Sequence, residues 1–425
     1  MKKAALLRSF TALTVVLGLL VGAAPNASGA DSTDRITTRR IVATDHAVPH
    51  ISTVPANAGE SVKLFVRERN GTRPHQPRKA VLMLHGRTVP ALAGLDFGTG
   101  RYNWALDLAQ AGFDVFIMEL QGSGRSPRPK MDDPCNADPA AQGVLIPNPL
   151  PAACPANYPH QLNNAKSDWD ELNTVVDYIR SLRNVQKVAL VGYSAAAFQV
   201  GPYTLQHPEK VSSVFLLAPI FPPDSTAVEP AQLPLSNPPA QFGFPMRIGT
   251  KAAFETSWNS EVHCNKQRES GMVDAVWNAI MDNDAVGRTW GPVQSGTPQG
   301  VMRIRNAFWW GWNKTTVPLN GTLGNTVPVL IVYGDLDTQA NTPTSSGPVL
   351  HFSVPALYDA VPGARKLMFR VACTGHFMPW ERQSRVLHDL SEQWLRRTAI
   401  DGLTNGSFFV DQDGDYTPTA STVTP

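Results

Sequence analysis

The stretch Val188-Ala-Leu-Val-Gly-Tyr-Ser-Ala-Ala-Ala197 decides how this chain is read. Its opening residues form an uninterrupted apolar run, the pattern of a strand buried on both faces. The residues after Ser194 suit a helix. A strand that turns sharply into a helix with a serine at the apex lifts the hydroxyl clear of the sheet. Such an elbow normally reads G-x-S-x-G, and here Ala196 occupies the last position. One methyl group is the smallest departure from glycine, so it predicts a slightly adjusted helix start and not a broken turn.

Working outward, the same rhythm of apolar run and helical segment repeats. Upstream, Ser61–Arg67 alternates with the period of a half-buried strand. Ala80–Leu84 is continuously apolar and ends at His85-Gly86, Arg101–Ala111 suits a helix, and Phe113–Leu120 is another strand, closed by Gln121–Ser126. A helix is expected from Ser167-Asp-Trp-Asp170 to about Arg183, with Trp169, Leu172, Val176 and Ile179 on one face. Downstream, strands are expected at Val211–Pro219, Val327–Gly334 and Lys366–Ala372, before a closing helix that carries Leu387, Leu390, Trp394 and Leu395 on one face. Alternating strands and helices imply right-handed crossovers and a mostly parallel sheet with helices on both faces, an α/β fold.

Several segments break the rhythm. Residues 31–60 read as polar and irregular, and 127–163 as a Pro-rich loop insertion within a first core segment spanning 31–221. Residues 222–326 lack the alternation and hold six of the ten tryptophans: Trp258, Trp277, Trp290, Trp309, Trp310 and Trp312. An insertion of this size reads as a lid over the strand ends, its tryptophans forming either its own core or a pocket wall. The core resumes over 327–403, and 404–425 reads as a polar tail. Within that tail, Asp411-Gln-Asp413-Gly-Asp415 lacks the glycine and the final acid of a calcium loop, so it reads as a solvated turn.

Composition narrows the class. Of 425 residues, 42% are hydrophobic and 17% charged, which is globular and not disordered. Lys2, Lys3 and Arg8 precede the uncharged run Phe10–Ala24, and Ser28-Gly29-Ala30 offers small residues for cleavage, so residues 1–30 read as a signal peptide. The run is shorter than the ~20 residues of a spanning helix, which favours a secreted chain with no stable membrane anchor after cleavage. Cleavage lowers the formal net charge from +2 to −1, because three cations leave and no acid does. That balance argues against a nucleic-acid partner, which needs a clustered basic face. Cys135, Cys154, Cys264 and Cys373 remain. An even count in an exported chain suggests disulfides; Cys135–Cys154 and Cys264–Cys373 are the expected pairs among three connectivities. With no C-x-x-C motif, a zinc site has no support.

A serine hydroxyl needs a base, the base needs a carboxylate to hold its tautomer, and the developing oxyanion needs donors. Open parallel sheets put such groups at the C-terminal ends of strands. Gly334-Asp335-Leu336-Asp337 closes an apolar strand, so Asp337 is the expected acid, with Asp335 as the alternative and Asp224 a weaker one. His376, in Cys373-Thr-Gly-His-Phe-Met-Pro-Trp380, follows the last strand and is the expected base. The order Ser194, Asp337, His376 is the one this elbow requires. The backbone amides of Ala195 and Arg87 are the expected oxyanion donors, with His85 as structural support beneath the Arg87 loop. The Arg87 side chain is free to face the pocket and bind a carboxylate or a lid acid.

Taken together, Leu84-His85-Gly86, Gly122-Ser-Gly-Arg-Ser126, Gly192-Tyr-Ser-Ala-Ala196, Gly334-Asp-Leu-Asp337 and Gly375-His376 resemble the α/β-hydrolase fold superfamily over roughly residues 60–400. The resemblance implies acyl transfer to water without metal or cofactor, in an esterase-, lipase- or aminopeptidase-like branch. The expected activity is hydrolysis of a small to medium apolar ester or lactone. Two alternatives stand beside it. A proline-iminopeptidase-like enzyme would need lid acids such as Glu255, Glu261, Glu269 or Asp274 to hold a substrate amine, and a catalytically silent binding protein would need only the fold.

Overall fold

The computed structural model describes residues 41–98, 100–226, 232–236 and 241–420. The expected signal peptide lies outside these residues, as does part of the 222–326 insertion. Ten strands form one sheet: β1 (Ala43–Ile51), β2 (Ser61–Asn70), β3 (Ala80–Leu84), β4 (Asp114–Met118), β5 (Val188–Tyr193), β6 (Val211–Leu217), β7 (Val329–Gly334), β8 (Lys366–Val371), β9 (Gly406–Val410) and β10 (Tyr416–Pro418). Their spatial order is β1-β2-β4-β3-β5-β6-β7-β8-β9-β10. The pairs from β4 through β3 and onward to β9 are parallel, whereas β1–β2, β2–β4 and β9–β10 are antiparallel.

Burial follows strand position. Every residue of β3, β4, β5 and β7 is buried, as the continuous apolar runs predict, while β2 alternates between buried and open positions. Helices cover the sheet. The helix Ala165–Arg183 buries Trp169, Leu172, Val176 and Ile179. Its cap is Asn164, whose side chain accepts from the Ser167 amide while Ser167 Oγ reaches back to the Asn164 backbone. The helix therefore starts two residues before the expected Ser167. The closing helix (Ser384–Arg397) buries Leu387, Leu390, Trp394 and Leu395, and Trp394 Nε1 donates to the Val214 carbonyl of β6 at 3.1 Å.

Two segments differ from the sequence reading. Residues 43–51, expected to be irregular, form β1. The strand period is hidden because His46 and His50 share the inward side with Val48 while Ala47, Pro49 and Ile51 are exposed; Val48 and His50 are nonetheless buried against the sheet. The expected polar tail supplies β9 and β10. Phe408 stacks on Phe369 of β8 at 5.1 Å between ring centroids, and Tyr416 packs edge-on against both rings, so a short aromatic cluster binds these strands despite their polar surroundings. Between them, Asp411 Oδ1 accepts from the amides of Asp413, Gly414 and Asp415, which makes the acidic run a hairpin turn.

The insertion between β6 and β7 has its own antiparallel pair, Met246–Gly249 with Met302–Arg305, and helices at Lys251–Asn259 and Met272–Met281. One of its apolar clusters (Phe254, Trp258, Val276, Trp277) packs on Tyr102, Phe377 and Trp380 of the core. Another joins Met246, Trp290 and Val301 to Met131, Leu145, Leu150 and Leu162 of the Pro-rich segment. Disulfides close Cys135 to Cys154 and Cys264 to Cys373, so the second ties the insertion to the loop after β8. Among the described residues, no helix is long and apolar enough to cross a membrane.

Candidate active site

Ser194 stands at the end of β5 with φ +59°, in the left-handed region that β5 must enter to turn into a helix within one residue. Residues Ser194–Ala196 form a single tight turn before the helix Ala197–Gln206 begins. Ala196 has ordinary helical angles and is buried, so its methyl is absorbed by that turn. Close approach also explains Gly86: a Cβ there would lie 3.0 Å from Ser194 Cβ and 3.5 Å from its Oγ. The Gly86–Arg87 peptide therefore lies directly against the serine.

Three side chains from three strand ends converge. Ser194 Oγ lies 2.8 Å from His376 Nε2, and His376 Nδ1 lies 3.0 and 3.1 Å from the two Asp337 carboxylate oxygens. Asp337 Oδ1 also accepts from the amides of Gln339 (3.0 Å) and Ala340 (2.8 Å), which fixes the carboxylate in the loop after β7. With Nδ1–H donating to Asp337, Nε2 is left to accept the serine proton. Burial pushes the His376 imidazole down, but the charge of Asp337 and its hydrogen bond, then Glu261 and Glu381, outweigh it and leave the ring above its ordinary value. Of the alternative acids, Asp335 bonds the backbone of Thr374 and Cys373 beneath the histidine loop, and Asp224 pairs with Lys314.

His85 is buried with Nδ1–H donating to the Gly86 carbonyl at 2.5 Å, while Leu120 N donates to its Nε2 at 3.4 Å. Burial and the nearby Arg305 depress its pKa to about 3, so it is neutral and braces the Gly86–Arg87 loop.

Three buried carboxylates sit around this centre, of which the sequence reading considered only Glu261, as a lid acid for a substrate amine. Glu119, at the end of β4, faces the backbone amides of Ala91 and Leu92 just beyond the Arg87 loop, and burial raises its pKa to about 7. Gly124 makes room for it, since a Cβ there would fall 2.0 Å from the carboxyl group. Glu261 comes from the insertion and accepts from the His376 amide (2.6 Å) and from Thr338 N and Oγ1 (both 2.9 Å). Glu381 accepts from Thr374 Oγ1 (2.5 Å), Gly375 N (2.9 Å) and Trp258 Nε1 (2.7 Å). The histidine loop is thus held by two carboxylates and a disulfide. No local motif announces Glu261, because its partner lies 115 residues downstream.

Ser194 and His376 open into a cavity of about 700 Å³. Phe198, Ile220, Phe308, Trp309, Phe352 and Phe377 are among its apolar walls. The insertion's tryptophans therefore divide. Trp258, Trp277, Trp290, Trp310 and Trp312 fill cores, while Trp309 lines the cavity. Trp309 stacks on Phe198 at 5.3 Å, and its indole N–H donates to Asp168 at 3.0 Å. Asp168 in turn holds Arg305 through two hydrogen bonds of 2.8 and 3.1 Å, so one buried ion pair positions the wall.

Strand order, elbow and crossovers agree with the comparison to known families, in which the alpha/beta hydrolase fold family matches residues 79–383. The chain belongs to the α/β-hydrolase fold family. Solved structures similar to it include 2-hydroxy-6-oxo-6-phenylhexa-2,4-dienoate hydrolase from Rhodococcus sp. strain RHA1, at 15% identity and a TM-score of 0.45, covering 84% of this chain and 99% of that one. Carboxylesterase CesB from Bacillus subtilis is similar at 11% identity and a TM-score of 0.44, covering 84% and 93%. A thermophilic esterase from Thermogutta terrifontis is similar at 13% identity and a TM-score of 0.43, covering 83% and 98%. No curated protein matches the chain. Family membership supports a hydrolase.

Proposed function

We propose that this chain is an exported serine hydrolase that cleaves a carboxylic ester or lactone through Ser194, His376 and Asp337. The observation that carries the reading is the unbroken chain Ser194 Oγ to His376 Nε2 and His376 Nδ1 to Asp337, opening into a partly apolar cavity. His376 Nε2 takes the hydroxyl proton as Oγ attacks the carbonyl carbon. The oxyanion is met by the backbone N–H groups of Ala195 and Arg87; one such donor is typically worth ~10²–10³ in rate. His376 then gives its proton to the leaving alkoxide oxygen, leaving an acyl-serine. A water, deprotonated by the same nitrogen, releases the acid and restores the serine. Asp337 holds the ring through Nδ1–H and stabilises the imidazolium as it forms.

Export is supported by the N-terminal composition and by the two disulfides, which an oxidising compartment sustains. The aminopeptidase alternative draws no support from the cavity. Among the described residues no carboxylate lines it. Glu261 is committed to His376 and Thr338, Glu269 to Arg101, and Asp274 to Lys251.

The test is a panel of p-nitrophenyl acyl esters, lactones and proline p-nitroanilide, assayed with the mature chain. Ester or lactone turnover is expected, without release of nitroaniline. Turnover of the proline anilide alone would replace the esterase reading, and inactivity on the whole panel would return the chain to the binding-protein class.

A further inference from the structure

The cavity beside Ser194 is lined by two arginines, Arg87 and Arg247, and among the described residues by no acidic side chain. Three other interior arginines are ion-paired. Arg303 is held by Asp284 and Asp132, Arg305 by Asp168, and Arg183 by Glu68 and Asp114. Arg87 has no carboxylate within ion-pair distance among the described residues, and its Nε is buried without a hydrogen-bond partner. Its guanidinium lies over the Trp309 ring, 5.8 Å from the centroid, on the cavity wall. Arg247 only approaches Asp138 at 3.9 Å and keeps half of its side chain open. Burial and the neighbouring Arg247 and Arg305 lower the Arg87 pKa to about 10, so it stays charged at neutral pH while lacking a counter-charge.

A cation withdrawn from water is costly unless a partner compensates it. In this cavity that partner has to arrive with the ligand. Because Arg87 and Ser194 line the same cavity, an anion on the guanidinium shares that cavity with the reacting carbonyl. A planar fork facing an aromatic-lined space favours a carboxylate, which it can grip through two parallel hydrogen bonds. Resting on the hydrolase reading above, we propose that the substrate is a carboxylate-bearing ester, its free carboxylate held by Arg87 with Arg247 adding to the positive field. The acid group can belong to the acyl or to the alcohol part.

Two substrate pairs and one binding measurement test this. Mono-p-nitrophenyl glutarate against p-nitrophenyl valerate places the charge on the acyl side; 4-butyryloxybenzoate against 4-butyryloxytoluene places it on the alcohol side. At least one anionic member is expected to exceed its neutral counterpart tenfold or more in kcat/KM, with a KM that rises with added salt. Arg87→Met should cut that ratio about tenfold or more, the range of a charge-assisted hydrogen bond. Calorimetry with benzoate and benzamide reads the site without turnover: benzoate should bind at least tenfold more tightly, and Arg87→Met should abolish the difference. Ratios at or below one in both pairs, or ratios and benzoate affinity unmoved by both Arg87→Met and Arg247→Met, overturn the proposal while leaving the hydrolase reading intact. Benzoate selectivity in a protein that cleaves no ester would instead keep the anion site and remove the hydrolase reading.

Discussion

The ion pair of Asp168 and Arg305 offers a quantitative test of how the insertion is fixed to the core. Asp168 is fully buried on the helix Ala165–Arg183 and accepts from Arg305, Asn163 (2.5 Å), Gln199 (2.6 Å) and Trp309. Arg305 lies in the insertion and is 2% exposed. Asp168→Leu removes the acceptor of all these donors and strands a buried guanidinium. Breaking a buried pair on one side typically costs ~3–5 kcal/mol. Unfolding of the unit Ile41–Pro425 carries an entropy of roughly 0.8 kcal/mol per kelvin at about 2.1 cal/mol/K per residue. The expected fall in Tm is therefore about 4–6 °C for Asp168→Leu, and comparable for Arg305→Met. The double variant removes both charges together, so its loss should be clearly smaller than the sum of the single losses. Because Trp309 loses its anchor, Asp168→Leu should also raise KM for an aryl ester. Calorimetric melting of the four proteins of this cycle is the assay. Single variants that melt within 1 °C of the parent, or strictly additive losses, would refute the claim that this pair carries the insertion.

Two further outcomes follow from the centre itself. His376 must be neutral to accept the serine proton, and its pKa is raised by Asp337, so log(kcat/KM) should fall as pH drops through a midpoint above the ordinary imidazole value of ~6.5; a midpoint below 6 in a pH–rate profile contradicts that field. The Cys264–Cys373 bridge reaches the loop that carries His376, whereas Cys135–Cys154 closes a surface segment, so the Cys264→Ala/Cys373→Ala variant should lose severalfold more kcat than Cys135→Ala/Cys154→Ala; equal kcat in the two variants counts against a positioning role.

What could be read from the chain, and what could not, follows from the range of the interactions involved. The central strands are legible because β3, β5 and β7 are buried on both faces and need unbroken apolar runs. The meeting of Ser194, Asp337 and His376 at strand ends is legible because a parallel sheet brings successive C-terminal ends to one edge. The edges are harder. β1 carries His46 and His50 on its inward side and exposes Ala47, Pro49 and Ile51, so no apolar alternation marks it as a strand. Fates of individual tryptophans are illegible, since a buried indole suits a core and a pocket equally, and only the Asp168 partner 141 residues away singles out Trp309. Glu261 is hidden for the same reason, as its meaning lies in the His376 amide 115 residues downstream.

The central claim is that Ser194 is the nucleophile, and covalent capture tests it most directly. A fluorophosphonate probe incubated with the mature chain, followed by proteolysis and mass spectrometry, should place one adduct on the peptide containing Ser194. Labelling and ester turnover should both vanish in Ser194→Ala while its melting transition stays within a degree or two of the parent. An adduct on another residue, or ester turnover that persists in Ser194→Ala, would contradict the account.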